Sequence, residues 1–276
     1  MPDLLDVRLP DGRTVRAHDS GPGDPAARVV VWHHGSPQSG RLLQPLLDAA
    51  MPRGIRLVSL ARPGYGGSSR RPGRDVASIA FETAAVLDAL GIERFAAAGP
   101  SGGGPHALAC GALLADRITA VACVAGIAPY TDAFDWWAGM QAPGGLQAAL
   151  DGTAARERLA ETDEFDPESF IEADWTALAG RWADLGRDAA AAGEAWPMGL
   201  VDDDVAFVRP WGFGLGDVAA PVLLVQGEED RVVPSGHARW MHAHLPVSTL
   251  RLLPGDGHVS ALDAVPELLD WILAAT

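Results

Sequence analysis

The sequence predicts an α/β protein: a mostly parallel, doubly wound sheet interrupted by a helical insertion. Three observations carry the prediction. Short apolar strands alternate with helical stretches through residues 1–129, and the alternation resumes over 215–276. The segment Arg28 to His33 contains an unbroken apolar run, Val29 to Trp32, as suits a strand covered on both faces. A glycine-rich turn, Gly99-Pro100-Ser101-Gly102-Gly103, separates an apolar strand from a helix.

The elements follow in order. Leu4 to Leu9 and Thr14 to His18 read as antiparallel strands joined through Asp11-Gly12, a hairpin signal. After the strand Arg28 to His33 come a helix from about Arg41 to Met51, a strand at Ile55 to Leu60, and a loop rich in Arg, Gly and Pro. Val76, Ile79, Ala80, Thr83, Val86, Leu87 and Leu90 recur with the 3.6-residue period of a helix, which Gly91 ends. A strand at Arg94 to Ala98, a helix to Ala115 and a strand at Ile118 to Ala125 complete this half. Beyond the middle segment, Pro221 to Gln226 and Val247 to Leu253 read as strands, and Ser235 to His244 and Ala261 to Leu273 as helices. The uncharged run Phe95 to Ala115 is broken by glycines and prolines, so it is expected to be strand, turn and helix rather than a membrane span.

Residues 130–214 differ in character. They hold 17 acidic residues against 5 arginines, and six of the nine tryptophans: Trp136, Trp137, Trp175, Trp182, Trp196 and Trp211. This segment reads as a mostly helical insertion in the sheet-forming core, its acidic excess expected to form a solvated face. If that face reached a site entrance, it would disfavour anionic substrates.

Composition narrows the chemistry. The 276 residues carry 21 basic and 36 acidic side chains, a net charge of −15, which argues against nucleic-acid partners. Every basic residue is arginine. Without lysine there is no Walker A loop, no Schiff-base lysine and no Ser–Lys nucleophile pair. Without asparagine there is no Cys–His–Asn arrangement. Cys110 and Cys123 lie in apolar stretches and read as small buried hydrophobes rather than a disulfide framework. The N-terminus has no basic region ahead of an apolar core, so a cytoplasmic location is expected, with a small-molecule substrate and no membrane partner.

The turn at Ser101 fits G-x-S-x-G in the strand-to-helix context that motif requires. Such a turn strains the serine backbone, lifts its hydroxyl above the sheet edge and aims a helix N-terminus at it. A serine hydroxyl needs a base. Of the eight histidines, His258 stands apart: it follows the last strand in the loop Pro254 to Gly257, just before the terminal helix. His237, His242 and His244 fall on a helix expected to be exposed, and His242 and His244 do not share a face for a metal. A carboxylate must orient the imidazole. Asp230 follows the strand at Pro221, Glu228 and Glu229 are its neighbours, and Asp132 follows the preceding strand. Oxyanion donors are expected at the backbone N–H of Gly102 and of Ser36, since Pro37 has none.

These pieces together resemble the α/β-hydrolase superfamily. The matching stretches are His34-Gly35-Ser36-Pro37, Arg62-Pro63-Gly64-Tyr65-Gly66-Gly67-Ser68, the elbow at Ser101, Gly227 to Pro234, and Gly257-His258. The resemblance implies an α/β-hydrolase core with a cap, and a triad of Ser101, Asp230 and His258 working without a cofactor or metal. Serine rather than aspartate at the nucleophile position separates the chain from the family's haloalkane dehalogenases and epoxide hydrolases. Its oxyanion loop differs from the His-Gly-Gly-Pro-Gly of proline iminopeptidases. The expected reaction is ester hydrolysis of a small, largely apolar substrate, with Phe134, Trp136 and Trp137 lining the site and Phe165 and Phe170 as further aromatic candidates. The alternatives are an amide or N-terminal peptide bond, a lactone, a C–C bond next to a ketone, or a small-molecule binding module without turnover.

Overall fold

The computed structural model describes residues 2–21, 27–195 and 197–275, so Trp196 lies outside the described residues. Eight strands form one sheet in the order β1-β2-β4-β3-β5-β6-β7-β8. β1 (Asp3–Arg8) and β2 (Thr14–Asp19) form the antiparallel edge; β2 also pairs antiparallel with β4 (Ile55–Leu60). From β4 onward the sheet is parallel, through β3 (Arg28–His33), β5 (Phe95–Pro100), β6 (Ile118–Val124), β7 (Val222–Gly227) and β8 (Ser248–Leu253).

The period-2 alternation of the strands feeds two apolar layers. Val31, Val58, Ala97, Val121 and Leu224 face one layer, packed with α2 (Ile79–Ala89), α3 (Gly103–Leu113) and Met241 of α9 (Ser235–His244). Val30, Trp32, Leu57, Ala96, Ala98, Ala122 and Leu223 face the other, with α1 (Gln44–Ala50) and α10 (Val265–Ala275). Apolar burial on both faces is why the central strands carry no polar side.

Three predicted helices start later than expected. α1 begins at Gln44, with Pro45 in its first turn, where a missing N–H costs nothing, and passes into a 3₁₀ turn, Met51–Arg53. Residues 75–78 form a turn in which Asp75 accepts the Ser78 N–H at 2.9 Å, so α2 starts only at Ile79. The terminal stretch divides into a 3₁₀ turn, Ser260–Ala264, and α10, which carries Pro266 in its first turn. Among the described residues no helix is long and apolar enough to cross a membrane.

Between β6 and β7 lie α4 (Gly144–Leu150), α5 (Thr153–Ala160), α6 (Glu172–Ala179), α7 (Ala183–Ala195) and α8 (Pro197–Phe207). Their docking corrects the solvated-face expectation for part of the acidic excess. Asp174, Asp188, Asp202, Asp203 and Asp204 are all buried. Asp188 meets Arg41, Asp202 meets Arg70 at 2.8 Å, Asp203 meets Arg62 and Arg74, and Asp204 meets Arg156 at 2.6 Å. Three consecutive residues of a helix point about 100° apart. The run Asp202-Asp203-Asp204 therefore fastens α8 on three sides.

Candidate active site

Ser101 directly follows β5 and has φ +50°, a left-handed conformation that a non-glycine residue holds only at a cost of roughly 1–3 kcal/mol. Its surroundings enforce that turn. The Ser101 N–H donates to the Val124 carbonyl at 2.8 Å, which ties the elbow to β6. A Cβ on Gly99 or Gly103 would collide with the His33 carbonyl of β3, so both must be glycine. Ser101 is half-buried, and its hydroxyl has no hydrogen-bond partner among the described residues.

His258 lies in the loop between β8 and the 3₁₀ turn before α10. Its Nδ1–H donates to Asp230 Oδ2 at 2.8 Å, leaving Nε2 as the free basic nitrogen. Asp230 is 4% exposed and fixed by other bonds: Oδ1 accepts the N–H groups of Val232 and Val233, both at 2.8 Å, and Oδ2 accepts Gln226 Nε2 at 2.9 Å. The two loops touch, for a Cβ on Gly227 would strike the carbonyls of Asp256 and Gly257. The other acidic candidates stand apart: Glu228, Glu229 and Asp132 are exposed, and Glu228 meets Arg239 at 3.3 Å.

Electrostatics separate His258 from the other histidines. Burial pushes His33 down to about 3 and His237 down to about 4, and it pushes His18, His34 and His106 down as well. At His258 burial also opposes the charged ring, but the charge and hydrogen bond of Asp230, with a contribution from Asp174, outweigh it and raise the pKa above 6.5. His237 corrects its sequence expectation: it is buried, with Nε2–H donating to the Trp136 carbonyl at 2.9 Å and Nδ1 accepting the Ala128 N–H at 3.2 Å. Both cysteines are buried free thiols pushed up to about 12 by burial.

The loop after β3 lies over the elbow. A Cβ built on Gly35 would stand 3.7 Å from Ser101 Cβ, and one on Gly102 would stand 2.5 Å from Ser36 Oγ and 3.0 Å from the Phe207 ring. The N–H groups of Ser36 and Gly102 have no acceptor among the described residues. The Ser36 hydroxyl donates to Asp203 Oδ2 at 2.5 Å and accepts from Arg62 at 2.7 Å. Tyr65 donates to the same carboxylate oxygen at 3.0 Å. His106, kept neutral by burial, donates from Nδ1 to the Gly102 carbonyl at 2.8 Å. Sequence reading missed Asp203, Phe207, Gln226 and Asp174.

Of the aromatic residues expected to line the site, Phe134 and Trp136 pack against α9, and Phe134 and Trp137 stay partly exposed. Trp136 is 2% exposed, has its Nε1–H bonded to the carbonyls of Ala128 and Pro129, and stacks edge-on against His237; no surface is left for a ligand. Trp137 packs on Trp136 and Tyr130, and Phe134 stacks on Trp240. Phe165 is exposed and clusters with Phe170 and Trp175 on the insertion. Among the described residues no group of three or more His, Cys, Asp or Glu side chains has the arrangement of a metal site.

Comparison with known proteins bears on this arrangement. The alpha/beta hydrolase fold family profile matches residues 28–265. The chain is 31% identical over 166 residues to epoxide hydrolase A of Mycobacterium tuberculosis, a match covering 54% of this chain and 52% of that enzyme, about half its length. It is 26% identical over 243 residues to the bifunctional esterase/perhydrolase DCH of Acinetobacter calcoaceticus, covering 83% of each. In structure it resembles a bromoperoxidase from Bacillus anthracis, with a TM-score of 0.76, 24% identity, and coverage of 99% and 100% of the two chains.

Proposed function

The chain belongs to the α/β-hydrolase family, and from that premise we propose that it is a serine hydrolase acting on carboxylic esters of small, largely apolar substrates. Ser101 Oγ attacks the ester carbonyl while His258 Nε2 takes its proton. The N–H groups of Ser36 and Gly102 receive the oxyanion, and Asp230 stabilises the imidazolium. Collapse of the tetrahedral intermediate expels the alkoxide, which takes the proton from His258. Water then attacks the acyl-serine with His258 again as base, releasing the carboxylic acid and restoring the Ser101 hydroxyl. Residues 130–214 serve as the cap that excludes water from this chemistry, with 1–129 and 215–276 as the catalytic core.

The observation that carries the reading is the His258–Asp230 bond at 2.8 Å, made at the same sheet edge as the strained Ser101 elbow. The esterase activity in the name of the Acinetobacter relative agrees with it. Epoxide hydrolysis is the weaker reading, because the Mycobacterium match covers about half of that enzyme and Ser101 is not the carboxylate which that chemistry uses.

A fluorophosphonate probe, read by intact mass and peptide mapping, is expected to add one adduct at Ser101, alongside turnover of a p-nitrophenyl ester series. Ligand-induced stabilisation with neither adduct nor turnover would make the protein a binding module. The base must be neutral to accept a proton, so a raised His258 pKa places the acid limb of kcat/KM above pH 6.5, with activity lost below it. A pH-stat profile with no acid limb in the imidazole range contradicts His258 as that base.

A further inference from the structure

Asp174 is set apart from the other buried carboxylates of the insertion. Asp188, Asp202, Asp203 and Asp204 each meet an arginine, whereas Asp174 meets none among the described residues, although it is 0% exposed. Neutral N–H groups hold its charge instead. Oδ1 accepts Val259 N–H at 2.7 Å and Ser260 N–H at 2.9 Å; Oδ2 accepts Ile171 N–H at 3.2 Å at the start of its own helix. A Cβ on Gly257 would collide with this carboxylate. Asp174 therefore brackets His258, touching the residue before it and the two after it, from a helix that lies 85 residues away in the chain.

An anchor for two N–H groups needs an acceptor and not a charge. A buried carboxylate without a cation is costly to keep, and His258, whose chain neighbours Asp174 touches on both sides, becomes a cation when it takes a proton. We infer that Asp174 is a positioning residue for the ester hydrolysis proposed above, and on that reading it both fixes the His258 loop and sets a second negative charge behind the imidazolium. The charged groups that face His258 are Asp230, from the loop after β7, and Asp174, from α6; both favour the protonated ring against the effect of burial.

The test compares wild type with Asp174→Asn and Asp174→Ala. Asparagine keeps an acceptor oxygen for the loop and removes the charge. In Asp174→Asn the NMR titration midpoint of the His258 ring is expected to fall, the acid limb of kcat/KM to move to lower pH with it, and kcat to drop about tenfold with KM nearly unchanged. Asp174→Ala is expected to do the same and also lower Tm. A folded Asp174→Asn whose midpoint and acid limb match wild type overturns the inference, because a purely structural anchor moves Tm alone. Should neither variant fold, the wild-type Asp174 carboxyl carbon decides: a 13C resonance that follows the His258 midpoint supports the coupling, and a flat one overturns it. The ring titration needs no turnover. Absence of a fluorophosphonate adduct would therefore sink the hydrolase reading, while the His258–Asp174 coupling would still be measured.

Discussion

Ser101→Ala is expected to give a folded protein that takes up no fluorophosphonate and hydrolyses p-nitrophenyl esters about four to six orders of magnitude more slowly. The drop follows from the division of labour at the site. In the proposed mechanism the hydroxyl is the one atom that forms a covalent bond to the substrate, and His258 and Asp230 act only through it, so its removal would idle all three together. On the same proposal the residual rate would come from the N–H groups of Ser36 and Gly102 and from binding alone. Stability should hold, because the strain lies in the φ of +50° and alanine inherits it. Ser101→Gly separates the two effects: it is equally inactive but gains about 1 kcal/mol in thermal denaturation, since glycine takes this conformation freely. Wild-type turnover in Ser101→Ala, or an adduct at another residue, would remove Ser101 from the mechanism.

How much of this was legible in the sequence depended on how local the cause was. The central strands were legible because burial on both faces leaves an unbroken apolar run such as Val29 to Trp32. The elbow was legible because a strained turn against β3 admits only glycine at 99 and 103, and that need is written in adjacent residues. The docking of the insertion was not. Asp202, Asp203 and Asp204 look like a solvated run because the arginines they meet, Arg70, Arg62, Arg74 and Arg156, lie from 48 to 141 positions away. Asp174 was hidden for the same reason, its donors being 85 and 86 positions distant. His237 and Trp136 were misread together. Each side chain is buried by the other across the joint between α9 and the end of β6, and neither helix periodicity nor aromatic content records a contact over 101 positions.

The hidden network predicts the largest effect on stability. Asp203→Ala is expected to destabilise the protein by about 3–5 kcal/mol, because it leaves the Arg62 and Arg74 guanidiniums without their buried counter-charge. Arg62 and Asp203 are both 0% exposed, so solvent cannot replace what is lost. In a chain of this size that corresponds to a fall in Tm on the order of 10 °C. Asp203→Asn keeps the volume and removes the charge. A comparable loss in that variant assigns the effect to electrostatics; recovery to wild type assigns it to packing. Catalysis should suffer separately. The Ser36 hydroxyl sits between Arg62 and Asp203, and the same residue carries one of the two N–H groups proposed to receive the oxyanion. Without the carboxylate the Ser36 hydroxyl loses its acceptor and Arg62, which also donates to the His34 and Gly35 carbonyls, loses its counter-charge, so kcat measured well below the lowered Tm should fall roughly 100-fold, the usual consequence of a misplaced oxyanion donor. A Tm within a degree or two of wild type would mean the charges are solvated. A lowered Tm with unchanged kcat would mean that α8 fastens the insertion without holding the oxyanion loop, and that the two roles assigned to Asp203 belong to different groups.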